Sequence, residues 1–183
     1  WILGNHEYYQ KNIYKYAKDI LSMDDIVKVY RKFCSEITDN EVILLENEKY
    51  VINEGSTNTT LFGTTLWSKI KTNDELYLRV SSDIINNRHD LAVSKIDEFL
   101  GSGPGSKIII THHLPSLEFI LPKYREYDSS GFATNCEYLF RSDSGLNYWI
   151  LGHTHTRIIR SFYDINFICN PLGYPGENHY TPG

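Results

Sequence analysis

Five of the seven histidines fall in three short clusters, each placed directly after an apolar run. Leu3 leads into Gly4-Asn5-His6-Glu7, Ile110 into Thr111-His112-His113-Leu114-Pro115, and Leu151 into Gly152-His153-Thr154-His155. A fourth cluster, Asn170-Pro171-Leu172-Gly173-Tyr174, follows Cys169. Neutral imidazole is a common ligand for borderline transition metals, and Asn or Asp oxygens complement it for Zn, Mn and Fe. A His-x-His pair points both rings into one pocket from a tight loop, where Gly152 lets the backbone turn and approach closely. In the first cluster Asn5 offers an amide oxygen, which leaves His6 for proton transfer with Glu7 as its supporting partner. Taken singly, each piece has an ordinary account. His-x-His pairs occur on solvated strands, Asn5 suits a turn, one of two adjacent histidines on a strand faces away, and Glu7 suits a solvated surface. Three clusters at strand ends in one chain strain that account.

The elements that must position these residues alternate between helix and strand, which points to an α/β architecture with ligands at the carboxyl ends of the strands. Trp1-Ile2-Leu3 reads as the end of a buried strand. Ile13, Tyr16, Ala17, Ile20 and Leu21 share one helical face. A second helix follows Ser22 and Asp24 as caps, with Ile26, Val29, Tyr30, Phe33 and Ile37 at helical spacing. Short strands are expected at Val42 to Leu45, Tyr50 to Ile52 and Leu61 to Leu66, with a hairpin through the polar stretch Asn53 to Thr60. A helix over about Asp90 to Leu100 ends at Gly101-Ser102-Gly103-Pro104-Gly105. Lys107 to Thr111 reads as a central strand, followed by strands at Tyr148 to Leu151, Ile158 to Phe162 and Phe167 to Cys169. No repeat or linker divides the chain, so residues 1–183 read as a single domain.

With 183 residues, 41 % hydrophobic and 22 % charged, the composition excludes disorder, collagen and coiled coil. No apolar run approaches the ~20 residues of a membrane helix, so a soluble protein is expected. A net charge of −5 shows no basic face for phosphate neutralisation, which leaves nucleic acid only as a possible substrate. Bound cations would supply the positive charge a phosphate needs. Cys34, Cys136 and Cys169 are scattered and odd in number, which predicts core residues in a reducing, cytoplasmic setting and argues against a disulfide framework.

The three histidine clusters, in this order and spacing, resemble the calcineurin-like metallophosphoesterase superfamily. Gly63-Thr64-Thr65-Leu66-Trp67-Ser68 and Asn170-Pro171-Leu172-Gly173-Tyr174-Pro175-Gly176-Glu177-Asn178 extend the resemblance nearly end to end, toward small bacterial and viral-type members. It implies two facing mixed β-sheets flanked by helices in a four-layer sandwich. It also implies hydrolysis of a phosphate ester by a hydroxide held between two divalent metal ions (Mn, Fe, Zn or similar). Position by position, Asn5, His112 and His153 would bind the second metal and His155 the first, while His6 would be the general acid at the leaving oxygen. His113 is the alternative to His112, which follows the apolar strand directly. Trp67 and Tyr174 match structural or pocket-lining positions, and His89 and His179 match no metal motif, which suggests surface or capping roles.

The superfamily's Asp-x-His and Gly-Asp motifs, which supply the first metal's other ligands and the bridging carboxylate, occur nowhere in this sequence. They belong upstream of Asn5, so the chain is expected to be part of a longer parent lacking its first strands here, with activity of the piece alone in doubt. Two other readings compete. One is a binding or scaffold module that keeps the fold without catalysis. The other is mononuclear zinc hydrolysis through His112, His153 and His155, which lacks a nearby carboxylate base. The substrate's identity is not written in the residues, although Leu114 to Ser130 is the segment expected to select it, and Tyr14, Tyr16, Tyr124 and Tyr127 are candidate pocket residues.

Overall fold

A computed structural model describes residues 1–9, 21–55, 57–71, 81–122, 125 and 128–174. The expected helix over residues 13 to 20, the four candidate tyrosines and His179 lie outside them. Six strands form one mixed sheet: β1 (Glu48–Glu54), β2 (Thr57–Thr64), β3 (Ser106–Thr111), β4 (Leu146–Leu151), β5 (Ile158–Phe162) and β6 (Ile165–Cys169). Their order is β1-β2-β3-β4-β6-β5, with β2, β3, β4 and β6 parallel and an antiparallel hairpin at each edge. The β5–β6 hairpin turns through Tyr163 and Asp164, both at positive φ, as a two-residue connection matched to strand twist requires. The α/β class expected from the sequence is the one observed.

The register sets up the site. Thr64 pairs with Thr111, and Thr111 with Leu151, so three parallel strands end level. Pairing runs one step further, with His113 N donating to Thr65 O and Gly152 N to His112 O. The clusters after β3 and β4 are therefore brought side by side.

Helix α1 spans Met23–Ile37 and is capped by Ser22, whose hydroxyl accepts from Asp25 N. Its buried face is Met23, Ile26, Val27 and Cys34, while Val29, Phe33 and Ile37 are exposed. The apolar face read from the sequence is thus rotated, because Met23, Val27 and Cys34 lie closer to Leu3, Tyr8 and Trp67, the residues it packs against. Helix α2 spans Ser82–Leu100, eight residues longer at its start than expected, and stops at Gly101 as predicted. The extra turns are polar on their outer face apart from exposed Ile84, and are anchored by Ile85 and His89, both buried.

Ala92, Ile96, Phe99 and Leu100 of α2 cover one face of the sheet, meeting Phe62, Ile109, Trp149 and Phe167. The opposite face carries a cross-strand row, Gly63, Ile110, Ile150, Ile168 and Ile159. Over Gly63 lie Ile2 and Leu45, too close for any Cβ there. The strands expected at Trp1–Leu3 and Val42–Leu45 are extended segments joined to each other by Leu45 N to Trp1 O and Trp1 N to Ile43 O, and they do not enter the six-stranded sheet. Beyond them Ile150 and Ile159 are exposed. This apolar face is compatible with a second layer, although the described residues contain one sheet only. The stretch 53–60, read as a turn, is mostly strand, because pairing of β1 with β2 carries its polar residues to a tight tip at Gly55.

All three cysteines are buried and unpaired, as expected of core residues. Among the described residues no helix is long and apolar enough to cross a membrane. At the end of the sheet away from the histidines, buried Lys107 donates through Nζ to Leu100 O (2.9 Å), Gly103 O (2.7 Å) and Ser144 O (2.8 Å). It ties the end of α2 to the loop before β4. Lys107→Met should therefore lower the unfolding free energy by about 2–4 kcal/mol in urea titrations, since three carbonyls lose a charged donor. The histidine clusters, at the far edge, should be unaffected.

Candidate active site

Asn5 opens a short 3-10 turn, Asn5–Tyr8, held by Glu7 Oε2, which accepts from Gly4 N at 2.7 Å. Glu7 thus fixes the turn rather than supporting the His6 ring, as the sequence suggested. The Asn5 amide donates through Nδ2 to Tyr9 Oη at 2.6 Å, which turns Oδ1 toward His112. His112 Nε2 lies 2.8 Å from Asn5 Oδ1 and 3.0 Å from His153 Nδ1. Strand alternation separates the adjacent pair: His112 faces the cleft, whereas His113 is buried with Nδ1 3.3 Å from Thr65 O.

Glycine makes this convergence possible. A Cβ on Gly4 would stand 2.7 Å from His112 Cε1, and one on Gly152 would stand 3.0 Å from His112 Nδ1. The ring is wedged between two backbones that leave room for nothing more. His153 has φ +59, a left-handed conformation that a non-glycine residue rarely adopts, and this orients its ring toward His112. Its ring also stacks on His113, with centroids 4.4 Å apart. A backbone hydrogen bond at Gly131 ties it further.

Burial chiefly, and then the neighbouring imidazoles, push the His112 ring down to about 3. Burial likewise pushes His153 down to about 4, against the pull of the Gly131 bond. His113 is held well below the ordinary value, again mainly by burial. These rings stay neutral near pH 7, the form that ligates metal.

His6 and His155 stand on the open side. His6 is exposed, and its Nε2 is 3.2 Å from Tyr174 Oη. The Tyr174 ring also packs against His155, with centroids 4.6 Å apart. Asn5, His6, His112, His153 and His155 all line one cleft of about 720 Å³, within the size range of small-molecule sites. The five candidates are therefore brought together. Trp67 is buried between Tyr8 and His113 and does not reach the cleft, whereas Tyr174 lines it. His89, for which a surface or capping role was expected, is not at the surface: it is 2 % exposed and its Nδ1 faces the carbonyls of Leu66 and Trp67. Those residues follow β2 at positive φ, so their carbonyls turn inward and need a partner. Tyr9, Gly131 and Phe132 were not singled out from the sequence; nothing in their local spacing marks them.

Two donors about 2.1 Å from one ion and at right angles are about 3.0 Å apart. The separations of 2.8 and 3.0 Å among Asn5, His112 and His153 fit that requirement, and an amide oxygen with two imidazoles suits a borderline divalent ion. Among the described residues no group of three His, Cys, Asp or Glu converges to hold a metal, and the third polar atom beside the two imidazoles is the Asn5 amide oxygen.

The fold and cleft define an α/β protein with a histidine-lined cleft at the carboxyl edge of a mainly parallel sheet. The Calcineurin-like phosphoesterase family model matches residues 1–157, and the chain belongs to that family of phosphate-ester hydrolases. Among solved structures it is similar to a phosphopantetheinyl hydrolase (PptH) from Mycobacterium tuberculosis, with TM-score 0.66 and 16 % identity over 100 % of this chain and 77 % of that one. It is also similar to a putative 5′-nucleotidase from Staphylococcus aureus, with TM-score 0.53 and 13 % identity over 93 % of this chain and 31 % of that one. At these identities the likeness is one of fold. No curated protein matches the sequence.

Proposed function

We propose that the cleft carries the family's phosphate-ester hydrolysis, with Asn5, His112 and His153 holding one divalent cation (Mn, Fe or Zn) and His155 contributing to a second. The observation that carries this reading is that the neutral ring nitrogen of His112 lies within 3.0 Å of both the Asn5 amide oxygen and His153 Nδ1. When bound, such cations offset phosphoryl charge and acidify water. Tyr9 holds the Asn5 amide with its oxygen inward. Gly4 and Gly152 hold the His112 ring. His6, exposed in the cleft, is the general acid for the departing alkoxide, and Tyr174 Oη, 3.2 Å from Nε2, holds the ring until the leaving oxygen takes its place at that nitrogen.

Calorimetric titration of the chain with Mn²⁺ tests the metal site. One equivalent bound is expected, and a folded chain that takes none overturns the assignment. In the intact protein, His6→Ala should leave metal content unchanged while phosphate release from an alkyl monoester such as β-glycerophosphate, whose alkoxide needs a proton to depart, falls about 10²–10⁴-fold. Loss of metal in that variant would make His6 a ligand instead. The competing reading is a scaffold that keeps the fold without catalysis. Metal bound by the intact protein without phosphate release would select it.

A further inference from the structure

We infer that the cleft wall beside His153 selects phosphate esters whose leaving alcohol carries an uncharged aromatic ring, and that Phe132 is the platform on which this ring stacks. The inference rests on the phosphoesterase reading above and names its substrate class.

Phe132 is 50 % exposed although it sits in a tightly bonded loop. Its N donates to Ser129 O at 2.9 Å and its carbonyl accepts from Leu114 N at 3.1 Å. Thr134 N returns to Leu114 O at 3.3 Å, around a bridge that pairs Leu114 with Ala133. The backbone is thus pinned to the strand end that delivers His112. Core packing does not require the ring where it stands, since Ala133 beside it is the residue that enters the core. One part of the Phe132 ring meets His153, with centroids 4.8 Å apart and planes inclined by 43°, and the rest opens on the cleft. A fixed, exposed aromatic ring next to the reacting centre is a stacking surface already in position.

The surroundings narrow what it stacks. Leu114, Ile120 and Leu121 line the same cleft, and the first two are seated in the main core, so this wall is apolar and firm. The charged residues among the described lining are Glu7 and Asp128, both acidic. Ser130 N donates to Asp128 Oδ1 at 3.0 Å, which keeps that carboxylate in place. A leaving group with further negative charge meets repulsion there. A flat neutral ring gains the apolar wall and the Phe132 face together.

The test uses two phosphonates that share a head group and cannot be hydrolysed. Phenylphosphonate should bind the Mn²⁺-loaded chain about tenfold more tightly than methylphosphonate by calorimetry, the scale of one aromatic stack. Both Phe132→Ala and Phe132→Leu should reduce that ratio to about twofold or less when read at saturating Mn²⁺, where a change in metal affinity does not enter; the second keeps apolar bulk and removes only the ring. A carboxylate on the phenyl ring should weaken binding relative to phenylphosphonate. Equal affinities in the wild type, a preference that survives both substitutions, or no binding of either ligand to the Mn²⁺-loaded chain would each overturn the inference. Those outcomes leave the metal site standing. A chain that takes up no Mn²⁺ overturns the reading beneath it and the inference with it.

Discussion

Gly4→Ala is expected to lose at least about a hundredfold in Mn²⁺ affinity while every proposed ligand remains in the sequence. Backbone strain is not the reason, because Gly4 has φ −97 and ψ −178, an extended conformation that alanine adopts freely. The new methyl would instead stand 2.7 Å from His112 Cε1 and 2.8 Å from Nδ1. The ring has no free retreat, since Gly152 closes on Nδ1 and its N–H holds the His112 carbonyl at 3.2 Å. Relief therefore comes from swinging the imidazole away from Asn5 and His153. Metal–ligand distances tolerate only about 0.2 Å, and disturbing groups outside the ligand set already costs about 10–100-fold in affinity. Overpacking adds about 1–3 kcal/mol of destabilisation, which a thermal melt reads separately. Gly152→Ala should show the same loss in weaker form, its nearest contact being 3.0 Å. Wild-type Mn²⁺ affinity in Gly4→Ala would remove His112 from the ligand set, or the glycines from its support.

The glycines illustrate which parts of this site are legible in a sequence. Residue types and spacings within each cluster are local, so Asn5, His6, His112, His153 and His155 stand out from the residues alone, and all five line one cleft. What the spacing does not carry is contact between clusters. Gly4 and His112 are far apart in the chain, and only the level ends of β3 and β4, together with the Asn5 turn, bring them together. Tyr9 and Phe132 are invisible for the same reason. Each acts on a residue of a different segment, Tyr9 on an amide whose orientation is set by tertiary packing and Phe132 on a histidine after β4. Glu7 misleads because its side chain has two plausible partners, the neighbouring imidazole and its own turn, and the nearer backbone N–H wins.

The same division runs through the fold. The β-branched run Lys107–Thr111 and the glycine stop after Leu100 are local signals, and both are where the residues place them. The first turns of α2 are not, because Ser82–Arg88 has weak intrinsic helix preference and is helical through burial of Ile85 and His89. The face that α1 buries could not be chosen by periodicity, since two apolar stripes compete and only the position of Trp67 and Leu3 decides. Strand order is likewise non-local, with β6 inserted between β4 and β5.

Acidification is expected to destabilise the metal-free chain between about pH 6.5 and pH 4, a loss that begins well above the range in which ordinary carboxylates titrate. His112 is pushed down to about 3 and His153 to about 4 in the fold, by burial first, while in the unfolded chain both titrate near 6.5. Above 6.5 the rings are neutral in both states and the fold keeps its full stability. As pH falls below that value the unfolded chain takes up protons that the fold refuses, so stability drops by about 1.4 kcal/mol per pH unit for each ring. By pH 5 the two together lower it on the order of 4 kcal/mol, a large share of a typical domain's stability. Buried His113 adds to the loss in the same direction. Buried His89 acts likewise, and Glu46 opposes the loss, because burial raises its carboxyl and protonation then favours the fold, but it is one group against four. Asp25 and Asp128 are held below the usual carboxylate range and act only at more acid pH. Urea unfolding of the metal-free chain at pH 7, 6 and 5 measures the slope, and His153→Gln should remove about half of the part due to the two rings. Saturating Mn²⁺ should displace the drop toward lower pH, since a ligated ring refuses protons further. A flat profile between pH 7 and pH 5 in the metal-free chain would mean that water reaches these rings, and that the strand ends do not hold them neutral and dry.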